Sequence, residues 1–300
     1  MRVQVSAWLQ EVCTRDKETI FLTGDLGFNA FEGLQQKMGE RFVNAGVSEQ
    51  NMMSMAAAMA REGLRPFCYS IAPFAVFRPA EQIRLDIAIH DLNVKIIGNG
   101  GGYGYGIMGA THHALEDIAL LSSLQNFSCY VPYCNEDLVL TADAFYQDPH
   151  PAYLRMALGS NDKLGLKAQP FADIRKLKDG QALTVVGLGP VLLNAVKAAV
   201  TGKISADIFA VARLPWKMKV DEIAKSLRAT GKLLIVEEHV KRGGLAEALL
   251  YDLAQMGINV PFRHSHAQGY PNGLYGSQAY HQKLCGLDED SLLNTMKELL

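Results

Sequence analysis

One carboxylate in this chain stands where chemistry is possible. In "RFVNAGVSEQNMMSMAAAMA", residues 41–60, a small polar run leads into an Ala- and Met-rich helix, with Glu49 at the join. Ser48 has the side chain of an N-cap and Glu49 that of a first-turn acid that offsets the helix dipole, and local rules are satisfied by that reading alone. The residues that follow are apolar on most faces, and a helix apolar nearly all round is buried. That pattern predicts Glu49 at the edge of a water-excluding interface, where a carboxyl can hold or share a proton near neutral pH.

A second chemical candidate lies in "GNGGGYGYGIMGATHHALED", residues 98–117, where seven of the twelve residues from Gly98 to Gly109 are glycine. The piece "GYGIMG" (104–109) matches the spacing GxGxxG. A dinucleotide fingerprint must lie on the strand-to-helix turn and be followed by an acid about 20 residues on. Here the motif starts well after the strand, and the stretch where the acid should fall reads "SCYVPY" (128–133). Dinucleotide binding is not expected. Such glycine density instead lets backbone approach a ligand or a partner chain. Thr111 is a plausible N-cap for a following helix, with His112 and His113 in its first turn. Adjacent positions point to different sides of a helix, so the two histidines are a poor metal pair, and one of them can face a site.

The elements that must hold these residues are readable as alternating strands and helices. Apolar strands are expected at 19–24, 65–71, 94–98, 128–133 and 152–157, with helices around 50–62, 77–90, 112–124 and 135–147. Continuous apolar strands separated by helices predict a parallel sheet covered on both faces. A polar, Lys-rich stretch at 159–182 breaks the pattern. Beyond it come strands at 182–189, 206–211 and 232–238, helices at 191–201, 220–229 and 244–256, and a last short strand near "NVPFR". The expected fold class is α/β with two doubly wound domains, residues 1–160 and 180–300, joined by a linker at 161–179. Ligands in open α/β sheets gather at the carboxyl ends of strands, so the loops "DLGFN", "IAPFAVFR" and the Gly-rich segment matter most.

Composition narrows the function classes. The 300 residues carry 29 Lys and Arg against 31 Asp and Glu, a net charge of -2 that calls for neither nucleic acid nor an anionic membrane as partner. No run of 18 or more apolar residues suggests a spanning helix. "MRVQVSAWLQEVCTRDKE" lacks the apolar core of a signal peptide, so a cytoplasmic protein is expected. The five cysteines are widely spaced; "CYVPYC" (129–134) has no second Cys or His pair to complete a zinc site, and reduced, buried thiols are expected.

"ERFVNAGVSEQNM", with "TGDLG" before it and "YSIAPFAVFRPAEQIR" and "GATHHALEDIALL" after it, resembles the C-terminal half of transketolases, and the resemblance covers the whole chain. It implies a thiamine-diphosphate-binding pyrimidine (Pyr) domain followed by a smaller transketolase C-terminal domain. It implies that Glu49 bonds ring nitrogen N1′ of thiamine diphosphate and so activates the cofactor, which supplies the electron sink. By the same resemblance Phe74 is the aromatic on which the aminopyrimidine stacks and Phe77 a second wall residue. Arg78 falls where deoxyxylulose-phosphate synthases place a cofactor-side Arg, and Asp25 is an acid beside the cofactor at a subunit interface. His112 matches the substrate-binding His of the family's "THQ" run. Arg2 and Arg155 lie near positions that hold substrate phosphate.

Departures from the family pattern carry their own implications. The domain that holds the diphosphate and Mg2+, with its "GDG" start, has no counterpart here, so a separate N-terminal subunit is expected to supply it in an α2β2 assembly. Met108 stands where transketolases place a hydroxyl-reading Asp, a glycine of "GNGGG" replaces a loop His, and Leu158 falls where split relatives show a second Arg. Losing buried polar readers changes selectivity by orders of magnitude, so an unusual sugar or sugar phosphate is expected as substrate. In "KLLIVEEHVKRGGLAEALL", Glu237 and His239 read as fold and interface residues. Two other readings stay open: a different thiamine-diphosphate enzyme, resembling deoxyxylulose-phosphate synthase or a 2-oxoacid dehydrogenase beta subunit, and a non-catalytic scaffold.

Overall fold

A computed structural model describes residues 1–27, 29–157, 164, 166, 169–270, 273 and 275–300. The chain builds two sheets. The first contains β1 (Thr19–Thr23), β2 (Phe42–Asn44), β3 (Arg65–Ile71), β4 (Lys95–Asn99), β5 (Ser128–Tyr130) and β6 (Ala152–Met156). The second contains β7 (Ile174–Lys178), β8 (Leu183–Leu188), β9 (Ala206–Val211), β11 (Leu233–Glu237) and β12 (Phe262–His266), while β10 (Arg213–Leu214) returns to the first. The strand orders are β10-β5-β6-β4-β3-β1-β2 and β12-β11-β8-β9-β7. Pairing is parallel except at one edge of each sheet, where β10 runs antiparallel to β5 and β7 antiparallel to β9.

Helices cover both faces because the strands are apolar on both faces. Every residue of β8, β9 and β11 is buried. On the first sheet, α1 (Arg2–Arg15), α2 (Glu32–Met38) and α7 (Asn135–Gln147) cover one face through Trp8, Leu34 and Phe145. The other face is covered by α3 (Glu49–Arg61), α4 (Ala72–Val76), α5 (Ala80–Gln82) with the π-helical turn Ile83–Ala88, and α6 (Asp117–Ser122). On the second sheet, α8 (Leu192–Thr201) and α12 (Glu289–Leu299) lie on one side and α9 (Asp221–Thr230) and α10 (Leu245–Gln255) on the other. The short α11 (Gln278–Leu284) reaches back toward the first domain. One core cluster runs from Met52 and Ile118 through Phe209 to Leu249, so the two sheets share apolar interior.

Several sequence expectations need correction. The segment expected as a linker contributes β7, an edge strand whose "IRKLK" carries three cations and so reads as polar. The helix expected at 77–90 is a short α5 followed by the π-helical turn. The strand expected at 128–133 ends at Tyr130. Helix α6 starts at Asp117 rather than after Thr111, because residues 110–112 form a 3-10 turn. Helix α3 is not buried all round: Gln50, Asn51, Ser54 and Ala58 are exposed.

The Gly-rich loop is shaped by the chain's own side chains. A Cβ on Gly101 would sit 2.6 Å from the Arg155 side chain, and one on Gly102 (φ +66) would sit 2.3 Å from Glu238. Glu238, buried, accepts hydrogen bonds from the Tyr103 amide at 2.6 Å and from Gln278 and Gln282 of α11. Arg155, 2% exposed, donates from Nε to Asp117 at 2.8 Å and from Nη2 to the carbonyls of Ala114 and Glu238. Tyr153 donates to the same Asp117 oxygen at 2.8 Å. This network ties the loop, α6 and the second domain together.

Removing one partner of a buried pair strands the other charge. Asp117→Ala is therefore expected to lower stability of the full chain by about 3–5 kcal/mol in urea unfolding. A loss under about 1 kcal/mol would show that Arg155 is solvated or otherwise paired.

Candidate functional site

Four strand ends converge at one edge of the first sheet. Glu49 opens α3, just after β2; Gly24 follows β1; Ser70 lies near the end of β3; and Asn99 ends β4. Ser48 makes no side-chain cap, so Glu49 is not half of a capping arrangement. Its side chain is turned inward and is 2% exposed. One oxygen accepts from Ser70 Oγ at 3.0 Å, and the other from Arg78 Nη1 at 3.0 Å. The buried charge thus has both a neutral donor and a counter-ion. Gly24 matters here through size: a Cβ there would lie 3.3 Å from Glu49 Oε1.

Arg78 follows α4 and folds back across Phe74. Its guanidinium carbon lies 3.8 Å from the centre of the Phe74 ring. The His112 ring meets Phe74 edge-on at 5.0 Å and Tyr105 at 6.3 Å. Tyr105 accepts from Asn99 Nδ2 at 2.6 Å. Burial raises the Tyr105 pKa, opposed by Arg2, which places Arg2 within electrostatic reach of the same group. His112 Nδ1 lies 2.9 Å from Thr111 Oγ1. Burial lowers the His112 pKa from its ordinary value, and the positive charge of Arg78 lowers it further, so the ring is neutral at pH 7.

The structure therefore brings Glu49, Phe74, Arg78 and His112 into one cluster. It places the other expected site residues differently. Asp25 is exposed, with a left-handed backbone (φ 56), and accepts from Asn44 at 2.8 Å. It lines a small cavity with Phe31, Gln35 and Phe42, one residue beyond Gly24. Phe77 is 37% exposed at the end of α4, beside Arg78. Arg155, expected as a contact for substrate phosphate, is committed to Asp117 and two carbonyls inside the protein. Leu158 lies outside the described residues. His113 is buried against Tyr103, Tyr270 and His281, away from His112.

Sequence reasoning missed Ser70, Asn99 and Tyr105 as partners of the cluster. Ser70 precedes "IAPF" and is a small polar residue in an otherwise apolar strand, a signal that could have found it. Glu237 accepts from the first amides of α10, Leu245 N and Ala246 N, and from His264, while His239 accepts from Ala119 N. Both hold the fold. All five cysteines are free and buried, and no group of three or more His, Cys, Asp or Glu able to hold a metal occurs among the described residues. Among those residues no helix is long and apolar enough to cross a membrane.

Comparison with known proteins accounts for nearly the whole chain. Residues 1–159 match the family described as "Transketolase, pyrimidine binding domain", and residues 172–292 match "Transketolase, C-terminal domain". The chain is 27% identical over 304 residues to an apulose-4-phosphate transketolase subunit of Phocaeicola vulgatus, covering 97% of this chain and 95% of that protein. It is 27% identical over 280 residues to 1-deoxy-D-xylulose-5-phosphate synthase of Clostridium perfringens, covering 89% of this chain but 44% of the synthase. A solved structure described as a split-gene transketolase, inactive beta4 tetramer, superposes with a TM-score of 0.87 at 26% identity, over 100% of this chain and 97% of that one.

The cluster geometry makes His112 a reporter. Its imidazole is expected to titrate below 6.5 in proton NMR of the full chain, and Arg78→Ala is expected to move the midpoint upward. A wild-type midpoint at or above 6.5 would contradict the burial and the Arg78 proximity.

Proposed function

The chain belongs to the transketolase family, and on that premise we propose that it is the C-terminal subunit of a two-subunit, thiamine-diphosphate-dependent transketolase-like enzyme. The observation that carries this reading is the Glu49 carboxylate, nearly solvent-free and linked through Arg78 to the face of Phe74 at a strand-end cleft. The aminopyrimidine half of the cofactor fits such a slot. The slot already accommodates a planar group that carries N–H donors, in the form of the Arg78 guanidinium.

When bound, thiamine diphosphate supplies the nucleophilic carbon and electron sink for moving a two-carbon ketol unit. The residues of this chain position and protonate. Glu49 would hold a proton toward a nitrogen of the bound ring, and Ser70 fixes the orientation of its carboxylate. Phe74 provides the stacking face, with Phe77 and Arg78 beside it. Asp25 lies toward the neighbouring subunit. Neutral His112 can donate to or accept from a substrate oxygen at the same edge. Arg2, near Tyr105, is a cation of this chain suited to a substrate phosphate, while Arg155 is held inside the protein by Asp117 and two carbonyls. The diphosphate and Mg2+ are assigned to an N-terminal partner subunit in an α2β2 assembly. The solved relative described as an inactive tetramer of one subunit type supports partner dependence.

The substrate is proposed to differ from the usual pentose phosphate pair. Met108, 49% exposed, and Ile107, 69% exposed, form the lip of the loop where transketolases carry a hydroxyl-reading acid. The relative named for apulose 4-phosphate supports a branched or otherwise unusual sugar phosphate.

Glu49→Gln keeps shape but cannot take up the proton. In the reconstituted two-subunit enzyme it is expected to lower kcat/KM by roughly 100-fold or more, with folding and assembly unchanged. Activity within a few-fold of wild type would end this reading in favour of a scaffold. Assay with xylulose 5-phosphate and ribose 5-phosphate is expected to give poor turnover; efficient turnover would refute the altered specificity.

A further inference from the structure

Arg78 occupies both contacts that the proposed function assigns to the cofactor ring. Its guanidinium lies flat enough on Phe74 for van der Waals contact, 3.8 Å from the ring centre, and it donates to Glu49 at 3.0 Å. No second planar layer fits between groups already at that separation. A guanidinium and an aminopyrimidine share the features the slot reads: planarity, delocalised charge and in-plane N–H donors. We propose that Arg78 is an internal stand-in for the aminopyrimidine ring, which must swing out of the slot before the cofactor enters; this rests on the reading of the slot given above.

The rest of the local geometry suits an exchange. Without Arg78 and without a ligand, Glu49 would keep only the Ser70 hydroxyl, and a buried carboxylate without a counter-charge is strongly destabilising. Arg78 supplies that charge while holding carboxylate and aromatic face in register. Its side chain is 44% exposed, so it has a path to solvent that the 2% exposed Glu49 lacks. The turn that carries it is anchored: Phe77 N donates to the Pro73 carbonyl at 2.9 Å, and Pro79 is buried. Exchange is then a side-chain rotation with little backbone change. A slot closed by its own arginine also lowers apparent cofactor affinity in proportion to the fraction of time it is closed.

The test uses the full chain without a partner subunit. The probe is 4-amino-2-methylpyrimidine, which carries the ring without the diphosphate. Its binding is measured by ligand-observed NMR titration for wild type, Arg78→Ala, Arg78→Gln, Glu49→Gln and the double variant Glu49→Gln with Arg78→Ala. Both Arg78 variants are expected to bind about tenfold tighter than wild type. The gain is expected to vanish in the Glu49→Gln background, where the arginine is no longer held. Equal or weaker binding by the Arg78 variants, with wild type still binding, overturns the stand-in and leaves the proposed function intact. Absence of binding by every chain overturns both.

Discussion

A carboxylate taken out of water must be given another charge, and the cleft of the first sheet is organised around that requirement at Glu49. Three strand ends deliver the pieces: β1 gives Gly24 for clearance, β2 leads to Glu49 itself, and β3 gives the Ser70 hydroxyl and the α4 turn that carries Phe74 and Arg78. The ion pair is not a surface decoration. One partner is almost fully enclosed while the other opens to solvent, so the pair is anchored at one end and exchangeable at the other. That asymmetry separates a site from a core salt bridge such as Arg155–Asp117, where both side chains are enclosed.

The second domain acts on the cleft at a distance. Glu238 receives the Tyr103 amide and two glutamines of α11, and the Tyr103 ring stacks on His281 at 4.9 Å. His113 is boxed by Tyr103, Tyr270 and His281, and burial together with its neighbour His281 lowers its pKa. The next residue back, His112, faces Phe74. A loop dense in glycine, with little stiffness of its own, is thus held by side chains from another domain. Strand β10, donated to the first sheet from between β9 and α9, ties the domains at a second point. The C-terminal domain in this sense shapes the cleft although, among the described residues, its side chains make no hydrogen bond to Glu49.

The mouth of the cleft is apolar where a sugar reader would be polar. Ile107, Met108 and Tyr275 stand out from the surface around Gly109, and Phe77 stands out beside Arg78. The charged groups at the cleft are Glu49 and Arg78, with Arg2 nearby.

Period, composition and motif order determined a good deal by themselves. Continuous apolar strands made both sheets legible, because a strand buried on two faces leaves no other pattern. The run around Glu49 marks a candidate carboxylate, because charge beside a helix start is a local fact, while the aromatics of "APFAVFR" are singled out only by resemblance to a family. Tertiary structure alone decided the rest. The fate of Arg155 depended on Asp117, 38 positions away, and on carbonyls that include one from the second domain. The glycines were needed for close approach to Arg155 and Glu238, which no local spacing reveals. The edge strand β7 reads as polar connection because it carries three cations, and its pairing partner β9 lies elsewhere in the chain. Residue type fixes what a side chain can do; which neighbour satisfies it is a long-range property, and that neighbour decided which arginine reaches the cleft.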